Sequence, residues 1–377
     1  TLRTKENPHR PLVRYEYNNK KELLAVYDAF DVPYRFEYGA KGLTKHTDRN
    51  NLSFVYEYDA LGRCVYTSGD RGLYKYTFDY LPDRKTRVTD SLGNVSVLAY
   101  DENNLLLSET DPLGNETRYE YTSAFLTAAV IDPLGRRTEY AYNDAGDVKA
   151  IIRPDGGKIR FAYDRNHNLI RVTDPAGNSW QQEWDNQDRL IRQITPGNGE
   201  TRYSYDNKGA LKSVTDANGQ TTSCKTDAHG NIVSVTNALG HQTGFELDEL
   251  GNVVSLADPE GNITRYDYDA KSRLTKIIRP SGKEVHCGYD AEDNLTLYTD
   301  ETGGKTRLAY TGIGELSSRI NPDGSAVYYA YDTEERLTGL TNERGEAYSF
   351  TRDGLGRITK ETDYWGNAKQ YAWDEAG

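Results

Sequence analysis

The stretch Asp258-Pro259-Glu260-Gly261-Asn262-Ile263-Thr264-Arg265-Tyr266-Asp267-Tyr268-Asp269-Ala270-Lys271-Ser272-Arg273-Leu274 decides the fold. It opens on Asp-Pro-x-Gly, the residue preferences of a type I turn. The Asp side chain accepts a backbone N–H, Pro presets φ, and Gly takes the left-handed conformation that closes a bulged hairpin. Thr264, Tyr266 and Tyr268 then alternate with Arg265 and Asp267. A period of two puts the β-branched and aromatic residues on one face of a strand and the charges on the other. A second turn begins at Asp269, and Leu274 enters the next apolar segment.

The same unit recurs along the chain. Take the residue after each aromatic-x-aromatic pair as an anchor. The anchors are Asp59, Asp79, Asp101, Thr122, Asn143, Asp164, Asp185, Asp206, Asp227, Asp248, Asp269, Asp290, Thr311, Asp332, Asp353 and Asp374. Asp101 to Asp374 is 273 residues, thirteen steps of 21. Asn18 and Gly39 extend the series, giving about eighteen repeats. A glycine series from Gly72 to Gly366 keeps the same phase and is broken only at Asn198. Where the first turn lacks Gly, as at Asn104, His167, Asp188 and Asp293, the residue is one that tolerates positive φ comparatively well.

Each repeat therefore reads as a hairpin of roughly seven-residue strands, making about 36 strands in all. An aliphatic residue falls five past the anchor (Leu169, Leu190, Leu211, Leu274) and another often falls eight past it (Val214, Val235, Ile277). These have opposite parity, so either a bulge intervenes or the strand buries both faces. The fold class is all-β, with tandem 21-residue hairpins forming a long antiparallel sheet. At ~4.8 Å per strand the strip is on the order of 170 Å wide, and its twist makes it curl. One face is aromatic and the other charged.

Composition agrees with a thin wall. The 377 residues include 30 Tyr and 34 Gly, with only 36% hydrophobic residues and a mean hydropathy of −0.81. So polar a chain cannot fill a thick two-sided core. Its net charge of −12 argues against nucleic-acid partners. Runs such as Leu105–Leu107 are too short to span a membrane. No leader opens the chain and there is no Met, so we expect an interior piece of a longer protein, a single array over residues 1–377 truncated at both ends, with no separate toxin or tip domain.

No residue type in this pattern points to chemistry. Cys64, Cys224 and Cys287 fall in apolar slots and read as small hydrophobes. His9, His46, His167, His229, His241 and His286 make no metal-ligand spacing. The carboxylates recur as turn residues. Gly303-Gly304-Lys305-Thr306 lacks the upstream Gly of a phosphate loop, where Thr299 stands instead. The expectation is no catalytic, cofactor-binding or metal site and no enzyme activity. Gln182 and Arg352 interrupt the aromatic slots and are candidate lumen or partner contacts. Thr122 to Val130 is the least regular stretch, yet it holds no His, Cys or carboxylate. Tyrosine rows also serve as sugar platforms in carbohydrate sites, but cross-strand packing is the favoured reading of them here.

The motifs resemble the YD-repeat, or Rhs, family, whose consensus of Gly, Tyr-x-Tyr-Asp, two residues and Gly-Arg-Leu is matched from Gly261 to Leu274 and from Tyr56 to Arg63. The resemblance covers the chain from about residue 13 and is nearest to bacterial Rhs proteins. It implies a spiral, cocoon-like shell enclosing a C-terminal toxin domain until delivery, often by type VI secretion. The implied partners are the remaining Rhs core, the enclosed toxin, a secretion spike and a chaperone. The implied location is the bacterial cytoplasm before export, then delivery into target cells. The stretch between Asp111-Pro112 and Asp132-Pro133 lacks the family's self-cleavage residues, so no protease aspartate is assigned. The alternative is an exposed binding module for a glycan or partner protein in adhesion.

Overall fold

The computed structural model describes residues 2–3 and 11–376, which form a 36-stranded succession of antiparallel strands. Among the described residues the one helical piece is a 3-10 turn at Asp70–Gly72. The chain divides into two compact units. One comprises the residues up to Asn115 together with Arg265–Glu375, and the other comprises Glu116–Thr264.

The second unit shows the repeat in its plainest form. Strands Glu116–Tyr121, Thr127–Ile131, Arg137–Tyr142 and Val148–Ile152 pair each with the next, and the pattern continues to Val253–Ala257. The long strand has six residues and the short one five, fewer than the seven expected. The difference is taken up by the turns, in which the Gly114 N–H donates to the Asp111 carbonyl at 3.0 Å and the Asp111 N–H donates to the Asn115 carbonyl at 2.9 Å.

A bulge settles the parity question. In the hairpin Lys158–Tyr163 with Leu169–Thr173, Phe161 faces Val172 and Ala162 faces Arg171, but Tyr163 faces Leu169. One extra residue, Ile170, is accommodated there, and the same shift recurs at Tyr121, Tyr142, Trp184 and Tyr205. The residues five and eight past the anchor thus both lie opposite aromatic-face residues. A two-against-one bulge changes strand parity by one, which is what the sequence spacing requires.

In the first unit one anchor was misplaced by sequence. Asp79 lies inside strand Tyr76–Leu81, opposite Arg87, and the turn is Pro82–Arg84, with Asp83 and Arg84 at positive φ. Tyr80 rather than Phe78 occupies the aromatic slot before the turn, as its hydrogen bond below shows. The other turns follow expectation. Asn104, His167, Asp188, Asp293 and Asn198 are all left-handed, and so are Phe125, Ser272 and Glu335, which carry no such propensity.

The two faces differ as the alternation requires. Thr117, Tyr119 and Tyr121 are half-buried while Glu116, Arg118 and Glu120 are exposed. On the charged face the deepest residues are small. Ala129 is fully buried between its neighbours Glu120 and Glu139, and Arg137 bridges both carboxylates at 2.7 and 2.8 Å. Arg192 does the same between Glu183 and Glu200, at 2.7 Å to each. Long ionic side chains roof an alanine here, which is how a thin sheet hides apolar surface without a second layer.

Candidate functional site

Every letter of the repeat motif has an observable task. At Asp111 one carboxylate oxygen accepts the N–H groups of Leu113 and Asn115 at 2.8 and 2.9 Å, and the other accepts the Asn115 side-chain amide at 2.9 Å. Asp258 repeats this with Glu260 and Asn262. The side-chain amide of Asn262, followed by the backbone N–H groups, holds the Asp258 carboxyl below its usual range despite the cost of desolvation. Thr122 performs the same capping with its hydroxyl, toward Ala124 and Leu126. The stretch read as least regular is thus an ordinary hairpin.

The tyrosine before most anchors is a brace to the preceding repeat. Tyr205 donates its hydroxyl proton to the Leu190 carbonyl at 2.8 Å, fifteen residues earlier in the chain. The same bond joins Tyr58 to Leu43, Tyr142 to Thr127, Tyr163 to Val148, Tyr289 to Leu274, Tyr310 to Leu295 and Tyr331 to Leu316. Tyr80 donates to Cys64 in this way, which identifies its place in the repeat. Trp184 and Trp373 use their indole N–H on Leu169 and Ile358. The acceptor is in each of these the residue paired at the preceding bulge, aliphatic in most repeats but Thr127 for Tyr142 and Cys64 for Tyr80. The ladder to the next strand has already stopped there: between Leu190–Ile194 and Glu200–Tyr205 it ends at Arg192 opposite Arg202.

The arginine four past the anchor joins the two parts. Arg189 binds the Asp185 carboxylate through Nε at 2.8 Å and Nη2 at 2.6 Å, and its guanidinium lies 4.6 Å from the Tyr205 ring centre. Arg273 links Asp269 to Tyr289 and Arg357 links Asp353 to Trp373 in the same manner. One turn's cap is thereby stacked on the next hairpin's brace.

Arg352, read as a candidate lumen or partner contact, makes bonds within its own chain. Its Nη2 donates to the Leu337 carbonyl at 2.9 Å and its Nη1 to the Gly356 carbonyl at 2.9 Å. It makes the tyrosine's bond with a guanidinium. Gln182 faces Gln193, a polar pair in a slot that holds an aromatic against an aliphatic in Phe161–Val172 and Tyr203–Val214.

Within the first unit, turns from early repeats dock on turns from late ones at a fixed separation. Lys271 reaches Asp28 at 3.1 Å, and Arg49 N–H reaches Glu292 at 2.6 Å. Ser91 N–H reaches Glu334 at 3.1 Å, while the Ser91 and Thr333 hydroxyls lie 2.6 Å apart. Tyr76 donates to Glu334 at 2.6 Å, and burial followed by that bond raises its pKa strongly. Arg49 pairs with Glu292 at a separation of 243 residues, and so does Ser91 with Glu334. Burial opposes the charge on Asp28, but bonds from Val32 N–H, Lys271 and Phe30 N–H outweigh it and lower the pKa.

The remaining residues singled out by sequence do not converge. Cys64, Cys224 and Cys287 are free thiols, half-buried rather than buried, opposite Tyr58, Val235 and Tyr298. Burial raises the Cys287 pKa. His46 stacks between Tyr34 and Phe54, His167 bonds Asp147 at 2.9 Å and His286 bonds Glu284 at 3.1 Å. His229 and His241 sit in separate turns, and His9 lies outside the described residues. Among the described residues no group of three His, Cys, Asp or Glu could hold a metal ion. Gly303 closes the Asp300 hairpin turn and Lys305 begins a strand, so that segment is no phosphate loop.

A capped hairpin repeated every 21 residues, braced by tyrosine and stacked turn on turn, defines a YD-repeat protein. The family model described as Teneurin YD-shell matches residues 75–223, and the RHS Repeat model matches 227–263, 248–284 and 289–326. The chain belongs to the Rhs/YD-repeat family. It is 35% identical over 96 residues to the probable deoxyribonuclease RhsB of Dickeya dadantii (strain 3937), and 37% identical over 84 residues to RhsA of the same strain. These matches cover 25% and 22% of this chain but only 7% and 5% of those proteins. In the TcdB2-TccC3 crystal structure the fold recurs with a TM-score of 0.75 at 14% identity, over 97% of this chain and 24% of that one. In the Photorhabdus luminescens Tc holotoxin pore the TM-score is 0.58 at 15% identity, over 94% and 24%. At such identities the likeness is one of fold.

Proposed function

We propose that residues 1–377 serve as one wall segment of an Rhs toxin shell. The wall encloses a C-terminal toxin domain until delivery, by type VI secretion, from a bacterial cytoplasm into a target cell. Its partners are the rest of the Rhs core, the enclosed toxin, a secretion spike and a chaperone, and it carries out no catalysis of its own. The observation that supports this reading most directly is that each motif residue is spent on construction. Asp caps, Gly turns, Arg clamps, Tyr braces and the bulge carbonyl receives the brace. The likeness to the TcdB2-TccC3 fold is consistent with it.

The test is electron microscopy of the intact parent protein isolated without denaturant. A closed hollow wall with density inside is the expected result. An open ribbon with both faces wet overturns the reading and favours a surface-binding module.

A further inference from the structure

The seam of the first unit has one step at which the facing turns do not bond each other, although beside it Tyr74 N–H donates to the Thr333 carbonyl at 2.8 Å. Docked turns meet at Asp28 with Lys271, at Arg49 with Glu292 and at Ser91 with Glu334. The step between the last two sets Asp70–Gly72 against Gly312–Gly314. No hydrogen bond or ion pair links these segments among the described residues. A cavity of about 980 Å³ opens at this place, lined by both.

The lining has a defined chemistry. One wall is a run of rings. Tyr34 stacks on His46 with centroids 5.5 Å apart, His46 stacks on Phe54 at 5.2 Å, and Tyr56 shares a hydrogen bond with His46 Nδ1 at 3.1 Å. Around it stand Asp48, Asp70, Asp290, Glu292 and Asp332, against Arg71 as the one basic lining residue besides His46. Burial keeps the His46 pKa low, so the ring adds little positive charge near neutrality. Among the described residues Asp48 and Asp70 take part in no ion pair: Asp48 accepts Leu52 N–H at 2.8 Å and Asp70 accepts Ser53 N–H at 3.0 Å. An apolar run of aromatic rings beside excess carboxylate in one concavity selects a cation carried on an apolar stem.

We infer that this cavity binds an ammonium or guanidinium group carried on an aliphatic stem. The stem lies along the Tyr34–Phe54 wall and the charge sits between Asp48 and Asp70. A free polyamine and a lysine or arginine side chain share this chemistry. The site does not depend on the container reading, since it is defined by the cavity alone.

Calorimetric titration of the full chain with spermidine, and separately with an acetylated and amidated Gly-Arg-Gly peptide, tests it. The decisive variant is Asp48→Asn with Asp70→Asn, because Asn keeps the backbone acceptor, as Asn143 does for Asp147 N–H at 2.9 Å. Asp206→Asn with Asp216→Asn, in the other unit, makes the same change in net charge. Binding that falls about tenfold in the first pair and is unchanged in the second is the expected result. Saturable binding of spermidine alone assigns the site to polyamines, and binding of the peptide alone assigns it to polypeptide side chains. Absence of binding by both probes at millimolar concentration, or equal losses in the two pairs, overturns the proposal.

Discussion

Replacing Tyr205 with Phe isolates the brace. The ring remains beneath the Arg189 guanidinium, 4.6 Å away, and only the hydroxyl bond to Leu190 at 2.8 Å is lost. A neutral hydrogen bond of this kind contributes about 1 kcal/mol net, which is roughly a fivefold change in a local opening constant. Tyr205→Leu removes the stacking platform as well. A half-exposed cation–ring contact and the lost ring packing add about 1 kcal/mol more, for a total near thirtyfold. Native-state hydrogen exchange reads these changes directly, through the amides of Leu190–Ile194 and Glu200–Tyr205. Because repeats contact mainly their neighbours, amides of Arg137–Tyr142 and Val148–Ile152 serve as the internal control and should not change. Wild-type exchange in the Phe variant would refute the brace. Equal acceleration in the control hairpin would refute the nearest-neighbour construction.

Further outcomes follow from the same geometry. Arg352→Met should destabilise its hairpin more than Tyr205→Phe does, because it deletes charge-assisted bonds to Leu337 and Gly356, and Arg352→Tyr should recover most of the loss in a thermal melt. Gly114→Val and Gly261→Val should each cost about 1–2 kcal/mol: φ is 88 and 84 there, and an added Cβ meets nothing within 4 Å, so the cost is backbone strain alone. Unchanged melting in both would contradict the turn assignment. Lys271→Met leaves Asp28, whose side chain is 8% exposed, with Arg49 as its remaining cation, and should loosen the seam by about 2 kcal/mol in denaturant titration. Stability should be greatest above about pH 6.5 and decline in two stages. His46, whose folded pKa is depressed by burial, favours the fold when neutral and loses that contribution as pH falls below its unfolded value. The capping carboxyls of Asp174, Asp227 and Asp258, also depressed, lose theirs below about pH 4. A melting temperature that rises on acidification would refute both assignments.

How far the sequence reaches depends on whether a signal is local. Asp111, Pro112 and Gly114 state their turn within four residues, and the structure reproduces it. The opposite parity of Leu190 and Gln193 already implied a bulge or a two-faced strand, and only the register of Trp184 on Leu190 decides for the bulge. Asp79 misled because an aromatic stands before it. The true turn at Pro82–Arg84 has no capping carboxylate, so the surrounding strand pairing alone fixes it. The seam lay beyond reach for a different reason. Partners 243 residues apart leave no periodic mark in either turn, and Glu292 or Glu334 looks like any exposed turn residue until the other segment arrives.

Arg352 carries the more general lesson. Judged by hydrophobicity it breaks the aromatic row and invites a functional reading. Judged by its bonds it belongs to the row, because what that position supplies in most repeats, though not at Leu247 or Thr226, is a proton for the bulge carbonyl fifteen residues back. Tyrosine hydroxyl, indole N–H and guanidinium all supply it, at Tyr205, Trp184 and Arg352. Thr226 stands at the same slot and its hydroxyl reaches Asp206 instead, at 3.2 Å, since the side chain is too short for the carbonyl. The repeat is therefore specified by reach and donor capacity as much as by aromaticity. A search for irregular, functional repeats in such a chain should score that capacity rather than the presence of a ring.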